Sequence, residues 1–297
     1  MSQVTVLMPA RNAAPFIGAA VESVRSQTCD AWRLIVIDDG STDTTADIVR
    51  SAGDARISVV RSPGSGIVDA LNLGLSLADT PFVARMDADD LSRAGRFTVQ
   101  LATLEADYRL SLVGSQVDRL SGTRIVSTSN LPQAHDNIVR ALCRGFHAIA
   151  HSSCMFRTEA AKRVGGYRRI VAEDWDFYLR MSEVGSLANV AESLLTYRFH
   201  ESNITASSLY PYRLSMYRTI SNYRRRVAGL DDRPFEEFVR TSGRRVEFRA
   251  RREAAALAFY RQAMVRDAGL ASKMKSVANL GAASLLYPEA ALRRLRG

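Results

Sequence analysis

No stretch of this chain approaches the roughly eighteen uninterrupted apolar residues of a membrane span, so none is expected. The N-terminus has no basic segment leading into an apolar one, so no secretory signal is expected either. Cysteine is scarce. Cys29, Cys143 and Cys154 are scattered, odd in number and without metal-ligand spacing, which predicts free thiols in a reducing compartment, not a disulfide framework or a zinc site. Lysine occurs only at Lys162, Lys273 and Lys275, and arginine supplies the remaining positive charge. Three cofactor signatures are also missing. Gly64-Ser-Gly66 is followed by Asp69 where the dinucleotide fingerprint needs glycine, and neither a G-x-x-x-x-G-K-[ST] loop nor a G-x-S-x-G elbow occurs. These absences disfavour a dehydrogenase, a P-loop NTPase and an α/β-hydrolase.

What is present is an ordinary globular composition. The 297 residues are 46% apolar and 24% charged, enough for one large domain or two. The net charge of +9 is uneven: residues 205–297 hold 19 Lys+Arg against 8 Asp+Glu, while residues 1–204 hold 21 against 23. A boundary is expected near 205, between a near-neutral body, 1–204, and a basic helical region, 205–297.

Short β-branched runs alternate with helical spacing through the body. Val4–Met8, Leu34–Ile37, Ile57–Val60 and Phe82–Met86 read as strands, and residues 14–28, 67–78 and about 93–106 as helices, with Thr42 capping another through about Ala52. This alternation predicts an α/β fold with a mainly parallel central sheet. Further on, Leu112–Leu120 and Arg124–Ser127 read as β-rich, 134–144 as helix, Ser153–Phe156 as strand, Glu173–Glu183 as helix and Ser193–Phe199 as strand. Residues 208–227, 233–242 and 246–268 read as arginine-rich helices, and 270–296 alternates apolar stretches with terminal arginines.

In parallel sheets ligands bind beyond the carboxyl ends of the strands. Acids crowd those ends here. Asp87 and Asp89 stand at i and i+2, so in an extended chain both carboxylates converge on one hard cation such as Mg²⁺ or Mn²⁺. The structural alternative is a helix-capping turn at Asp89-Asp90. Asp38-Asp39 can accept a hydrogen bond from a nucleobase, or serve a turn with Gly40-Ser41. Glu173-Asp174-Trp175-Asp176 opens a helix, where acids suit the dipole, and also offers a general base. His147, His151 and His200 are the candidate site histidines, with His200 placed at a strand end where a third metal ligand could reach.

In order, VTVLMPARN (Val4–Asn12), LIVIDDGSTD (Leu34–Asp43), LNLG (Leu71–Gly74), ARMDADD (Ala84–Asp90), VGGY (Val164–Tyr167), EDWDFYLR (Glu173–Arg180) and YRFH (Tyr197–His200) resemble the family 2 glycosyltransferases over about residues 3–205. The resemblance implies the nucleotide-sugar-binding GT-A fold in residues 1–204. It implies that Pro9, Arg11 and Asn12 line the nucleotide pocket and that Asp39 hydrogen-bonds the base. Asp87 would lie near the ribose and donor sugar, and Asp89 would ligate a divalent metal on the diphosphate, with Asp87 and His200 as further candidate ligands. Asp174 matches the catalytic base, Glu173 and Asp176 are its neighbours, and Trp175 either stacks on a sugar face or packs.

The implied reaction is inverting transfer of a sugar from a nucleotide-diphosphate donor, usually UDP, to a hydroxyl of a glycan or lipid-linked acceptor, as in cell-surface polysaccharide synthesis. The rival readings are a metal-dependent nucleotidyltransferase, whose Gly-rich basic phosphate loop is missing from Pro9–Asn12, and a non-catalytic basic scaffold. For the basic region the alternatives are solvated helix faces or peripheral contact with an anionic membrane. No nucleic-acid reader motif is present. The expected location is cytoplasmic, at most peripheral on the inner membrane face.

Overall fold

The computed structural model describes residues 2–199 and 206–265. The expected alternation over 270–296 lies outside them. Strand β1 (Val4–Ala10) is followed by α1 (Ala14–Arg25), β2 (Trp32–Asp39), α2 (Thr45–Ser51), β3 (Ile57–Ser62), α3 (Ile67–Leu77) and β4 (Phe82–Arg85). Next come β5 (Leu91–Ser92), α4 (Arg96–Ala106), β6 (Leu110–Ser121), β7 (Arg124–Thr128), α5 (His135–Cys143), a 3₁₀ turn (His151–Ser153), β8 (Met155–Arg157) and α6 (Thr158–Arg163). The described chain ends with α7 (Glu173–Val184), β9 (Ser186–Phe199), α8 (Ala206–Val227) and α9 (Phe235–Val265).

The sheet runs β3-β2-β1-β4-β8-β6-β9-β5, with β7 paired to β6. The β3, β2, β1 and β4 neighbours are parallel, as the βαβ spacing predicts. Beyond β4 the recorded pairings of β4 with β8, β6 with β8 and β5 with β9 are antiparallel. Strands β1, β2 and β4 are near-continuous buried runs because both of their faces are covered, whereas the edge strand β3 is half-exposed. On one face Ile17, Ala20, Val21 and Val24 of α1, spaced i, i+3, i+4, i+7, join Val6, Met8, Leu34 and Val36 in a single core with Phe97 and Leu101 of α4. On α3, a Cβ on Gly74 would overlap the Leu7 side chain of β1, so this helix lies close against the sheet only because residue 74 is glycine.

The chain divides into two compact units. Among the described residues, the first is drawn from 1–119, 127–169 and 176–198, and the second from 120–126, 170–175 and 199–297. In the second unit Leu214, Phe238 and Ala250 form a small core between α8 and α9. Gly243 (φ 69°, ψ 170°) interrupts α9, at the point where the sequence reading separates two helices.

Several local readings needed revision. Thr42 does not cap α2; its N–H donates to Asn12 Oδ1 (2.9 Å). Asp43 serves the helix start instead, accepting from Thr45 N (3.0 Å) and Thr45 Oγ1 (2.5 Å). Strand β9 begins seven residues before the expected Ser193, because the buried Asn189 breaks the apolar alternation that would have marked it. Its Nδ2 is satisfied by the carbonyls of Pro132 (2.6 Å) and Ala148 (2.7 Å). The two-residue β5 and the six-residue α6 were not anticipated; both are too short for a periodicity to show.

One clamp occurs twice. Asp54 accepts from Arg56 N, Nε and Nη2 (2.9, 3.1 and 2.7 Å) just before β3. Asp107 accepts from Arg109 N, Nε and Nη2 (3.0, 2.9 and 2.8 Å) just before β6. Hydrogen bonds from the Arg56 side chain and amide lower the Asp54 pKa from 3.8 to about 2. A depressed folded-state value means stability that is present above the unfolded pKa and lost as pH falls through the folded one. Asp54→Asn should therefore be less stable than the parent at pH 7 by an amount that holds to about pH 4 and vanishes toward pH 2. Paired urea titrations across that range check it.

Candidate functional site

Because β1 leads to β2 and β3 on one side and β4 lies on the other, the strand order reverses between β1 and β4. Such a switch point opens a crevice at the carboxyl ends of the strands. Met86 N donates to Leu7 O (3.1 Å) where the β1–β4 ladder ends. Pro9, two residues further along β1, has no N–H to extend it. The loops after β1 and β4 flank this opening.

After β4 the chain turns sharply, with Asp90 N donating to Asp87 O (3.4 Å). The sequence reading derived convergence of Asp87 and Asp89 from an extended strand. The turn produces it instead and adds Asp90, so that carboxylate oxygens of Asp87, Asp89 and Asp90 all lie within 4.8 Å of one another. Asp90 does not cap a helix. The chain after it becomes β5, pairing Leu91 and Ser92 with Thr196 and Leu195 of β9. Arg198 of β9 fastens the turn, donating its N–H to Asp90 Oδ1 (3.0 Å) and Nε to the Asp89 carbonyl (2.9 Å).

Arg85, 3% exposed, is ion-paired with this turn: its Nη1 donates to Asp87 Oδ2 (2.5 Å). Burial disfavours the guanidinium charge, but Asp87 more than offsets this and holds the Arg85 pKa above its ordinary value. Burial raises Asp87 over the opposing Arg85 charge, and the Asp89 charge adds to the rise. Burial and then the Asp87 and Asp89 charges push Asp90 well above the usual carboxylate range. Asp90 Oδ2 is buried without a hydrogen-bond partner. Three converging carboxylates, with a buried oxygen of Asp90 unpartnered among them, fit a divalent cation held by oxygen ligands. Beneath them Arg96, fully buried, binds Gln100 Oε1 (3.0 Å) and the carbonyls of Arg85 (2.7 Å) and Cys154 (3.1 Å), locking α4 to β4 and β8.

At the end of β2, Asp38 turns back to accept from Ser41 N (3.0 Å). Asp39 is buried, with Oδ1 accepting from Ser62 Oγ (2.7 Å) and Oδ2 from Gly66 N (3.0 Å). The loops after β2 and β3 are thereby joined by one carboxylate that retains lone pairs for a ligand. After β1, Arg11 and Asn12 are exposed and Pro9 is half-buried. Asn12 has φ 50° and clips the β1 loop to the β2 loop: its N–H donates to Ser41 Oγ (3.0 Å) and its Oδ1 accepts from Thr42 N.

Two of the quoted motifs meet. Asn72 of LNLG receives Tyr167 N at Oδ1 and donates Nδ2 to Tyr167 O, both at 2.8 Å. A Cβ on Gly166 would come within 2.6 Å of that Oδ1, so VGGY needs glycine there. Tyr167 Oη lies 3.1 Å from His151 Nε2. Burial, aided by the Arg85 charge, keeps the His151 pKa well below its ordinary value, so this histidine is neutral. His147 is exposed, and His200 lies outside the described residues.

In the second unit, Asp174 sits in the first turn of α7, half-buried. Its Oδ1 accepts from Trp175 N (2.8 Å), and Tyr212 Oη of α8 lies 3.1 and 3.3 Å from its two oxygens. Trp175 is fully buried, which favours packing over stacking on a sugar. In the first unit Asp176 is buried and paired with Arg180 (2.6 Å), a contact that holds structure. Sequence reasoning missed Arg85, Ser62, Gly66, Arg198 and Tyr212. Only Arg85 and Arg198 stood inside quoted motifs.

The family described as Glycosyl transferase family 2 matches residues 5–165. An uncharacterized glycosyltransferase of Haemophilus influenzae is 28% identical over 218 residues, 66% of this chain and 65% of that protein. A chondroitin synthase of Pasteurella multocida is 25% identical over 69% of this chain, which spans only 22% of that protein. Among solved structures, S. aureus TarS 1–349 in complex with UDP-GlcNAc superposes with a TM-score of 0.60 at 14% identity, covering 98% of this chain and 92% of that one. The mannosyltransferase PcManGT of Pyrobaculum calidifontis, in complex with GDP-Man and Mn²⁺, gives 0.57 at 18% identity, covering 95% and 86%. Both likenesses show the fold.

A left-handed backbone at a non-glycine residue costs about 1–2 kcal/mol, least for asparagine. Asn12→Ala, which keeps that strain and loses the clip, should lower stability by about 1–3 kcal/mol, and more than Asn12→Gly. Chemical denaturation of the two variants measures the order.

Proposed function

The chain belongs to the family 2 glycosyltransferases, and from that premise we propose an inverting transferase that moves a sugar from a nucleotide-diphosphate donor to an acceptor hydroxyl. The observation that carries this reading is the turn of half-buried Asp87 and Asp89 and buried Asp90 at the β1–β4 switch point, which suits a diphosphate with its cation. Asp87, Asp89 and Asp90 would hold Mn²⁺ or Mg²⁺. Once bound, the cation supplies positive charge to the departing diphosphate. PcManGT, in complex with Mn²⁺, supports this choice of cofactor.

The remaining roles follow from the side chains. Asp39, fixed through Ser62 and Gly66, accepts a hydrogen bond from the base N–H, with Pro9, Arg11 and Asn12 lining the nucleotide. Uracil is preferred on the TarS complex with UDP-GlcNAc, with guanine the alternative on PcManGT. Asp174 takes the proton of the acceptor hydroxyl as its oxygen forms the bond to the anomeric carbon and the bond to the phosphate oxygen breaks. One displacement inverts that carbon, and no sugar becomes attached to the protein.

The acceptor is a glycan or lipid-linked glycan, as the chondroitin synthase similarity supports for polysaccharide synthesis. Among the described residues no helix is long and apolar enough to cross a membrane. The basic 205–297 region, including Arg224, Arg225, Arg244, Arg245, Arg251 and Arg252, fits peripheral contact with an anionic surface on the cytoplasmic face, each cation contributing about 1 kcal/mol. Nucleic acid is not a partner in this reading.

Asp174→Asn and Asp89→Ala should each reduce transfer by at least about a hundredfold, while only Asp89→Ala also weakens Mn²⁺-dependent binding of UDP-GlcNAc in calorimetry. Equal loss of donor affinity in both would contradict this division of roles. The protein should also sediment with phosphatidylserine-containing vesicles at low salt and not with neutral phosphatidylcholine vesicles. Indifference to lipid charge removes the membrane contact.

A further inference from the structure

The basic helical region lies outside the family match, yet one of its side chains reaches the residue assigned as the base. Within the second unit, the segment 170–175 rests on one face of α8 through two contacts. Ala172 N donates to Ser215 Oγ (3.3 Å). Three residues earlier on the same helix, Tyr212 Oη spans both oxygens of Asp174, at 3.1 and 3.3 Å. Residues at i and i+3 share a helix face, so α8 presents the two hydroxyls together. Pro211, immediately before Tyr212, leaves that turn of α8 without one N–H.

We propose that Tyr212 is a positioning residue for the Asp174 base: its hydroxyl donates to the carboxylate, fixes its rotamer and favours its ionised form. This rests on the assignment of Asp174 made above. Direction of donation is settled by charge. Burial, then the Asp174 and Glu173 carboxylates, push the phenol well above its ordinary value of 10.0, with Arg213 working weakly the other way. Tyr212 therefore stays protonated and can only donate to a carboxylate. Trp175 N holds Oδ1 from the other side, so the carboxylate is gripped between its own helix N-terminus and α8. A hydrogen bond made to the charged form keeps that form populated at lower pH. The acceptor proton then passes to an oxygen whose position is already set, and the phenol keeps its own proton throughout.

An alternative meaning of the same contact is obstruction, with Tyr212 covering oxygens that the acceptor needs. The two have opposite signs. Positioning makes Tyr212→Phe slower; obstruction makes it faster.

The test uses the full chain. With ¹³C-aspartate labelling, the Asp174 carboxyl signal is assigned by its disappearance in Asp174→Asn, then titrated in the parent and in Tyr212→Phe. The phenylalanine keeps the ring, and an unchanged melting temperature confirms that α8 still packs. Positioning requires the Asp174 midpoint to move to higher pH in Tyr212→Phe, while Mn²⁺-dependent affinity for UDP stays within about twofold of the parent. In the release of UDP from UDP-GlcNAc with Mn²⁺, turnover should fall about tenfold near neutral pH, with the acid limb moving the same way and the donor KM unchanged. An unmoved carboxyl midpoint, or turnover equal to or above the parent, overturns the proposal. UDP release that survives in Asp174→Asn is a different failure. It removes the base assignment itself, and the role of Tyr212 in catalysis with it, even where the carboxyl midpoint responds to Tyr212→Phe.

Discussion

Three carboxylates in one half-buried turn repel one another, and the structure around them is organised to hold them together regardless. Arg85 neutralises one from inside β4, Arg198 fastens the turn from β9, and the β5–β9 pairing keeps the chain beyond Asp90 in place. Even with these ties, burial pushes Asp87 and Asp90 toward protonation. The shape of the β1–β4 opening follows from the same requirement. Pro9 ends hydrogen bonding on one side where the acidic turn begins on the other.

Much of the architecture was legible because strands β1, β2 and β4 are buried on both faces. Val4–Met8, Leu34–Ile37 and Phe82–Met86 are mostly apolar, broken only by Thr5 and Arg85, and an acid at the end of such a run stands out. The order of the motifs then made the family legible before any coordinate. What failed to show is non-local. Asp39 is held by Ser62 and Gly66, residues that nothing in LIVIDDGSTD indicates. Asp90 looked like a helix cap because the sequence cannot show that β9 returns to pair with Leu91. Asn72 and Tyr167 belong to different motifs whose meeting required the fold. The front half of β9 hid behind Asn189, a polar residue buried for its hydrogen bonds.

Neighbouring acids at the start of α7 differ in their surroundings. Asp174 and Asp176 stand two apart there, and only the family resemblance, not residue type or spacing, set Asp174 apart from its neighbour. The structure separates them: Asp176 is buried against Arg180, whereas Asp174 is half-buried and faces a phenol. Trp175 between them is core. The same sorting holds for the histidines, where His151 is kept neutral beside Tyr167. Within the basic region, two uncharged side chains, Tyr212 and Ser215, hydrogen-bond the segment at the start of α7.

The two Asp-x-Arg clamps bear on how the chain folds. Each closes over a single intervening residue, so its entropic cost is small and it can form before distant segments meet. Ile57 N donates to Asp54 O and Leu110 N to Asp107 O, so each clamp also fixes the residue at which its strand begins. A mixed sheet assembled largely from distant partners is a slow search. Two strands whose starting points are set locally shorten that search, one at the parallel edge and one within the antiparallel half.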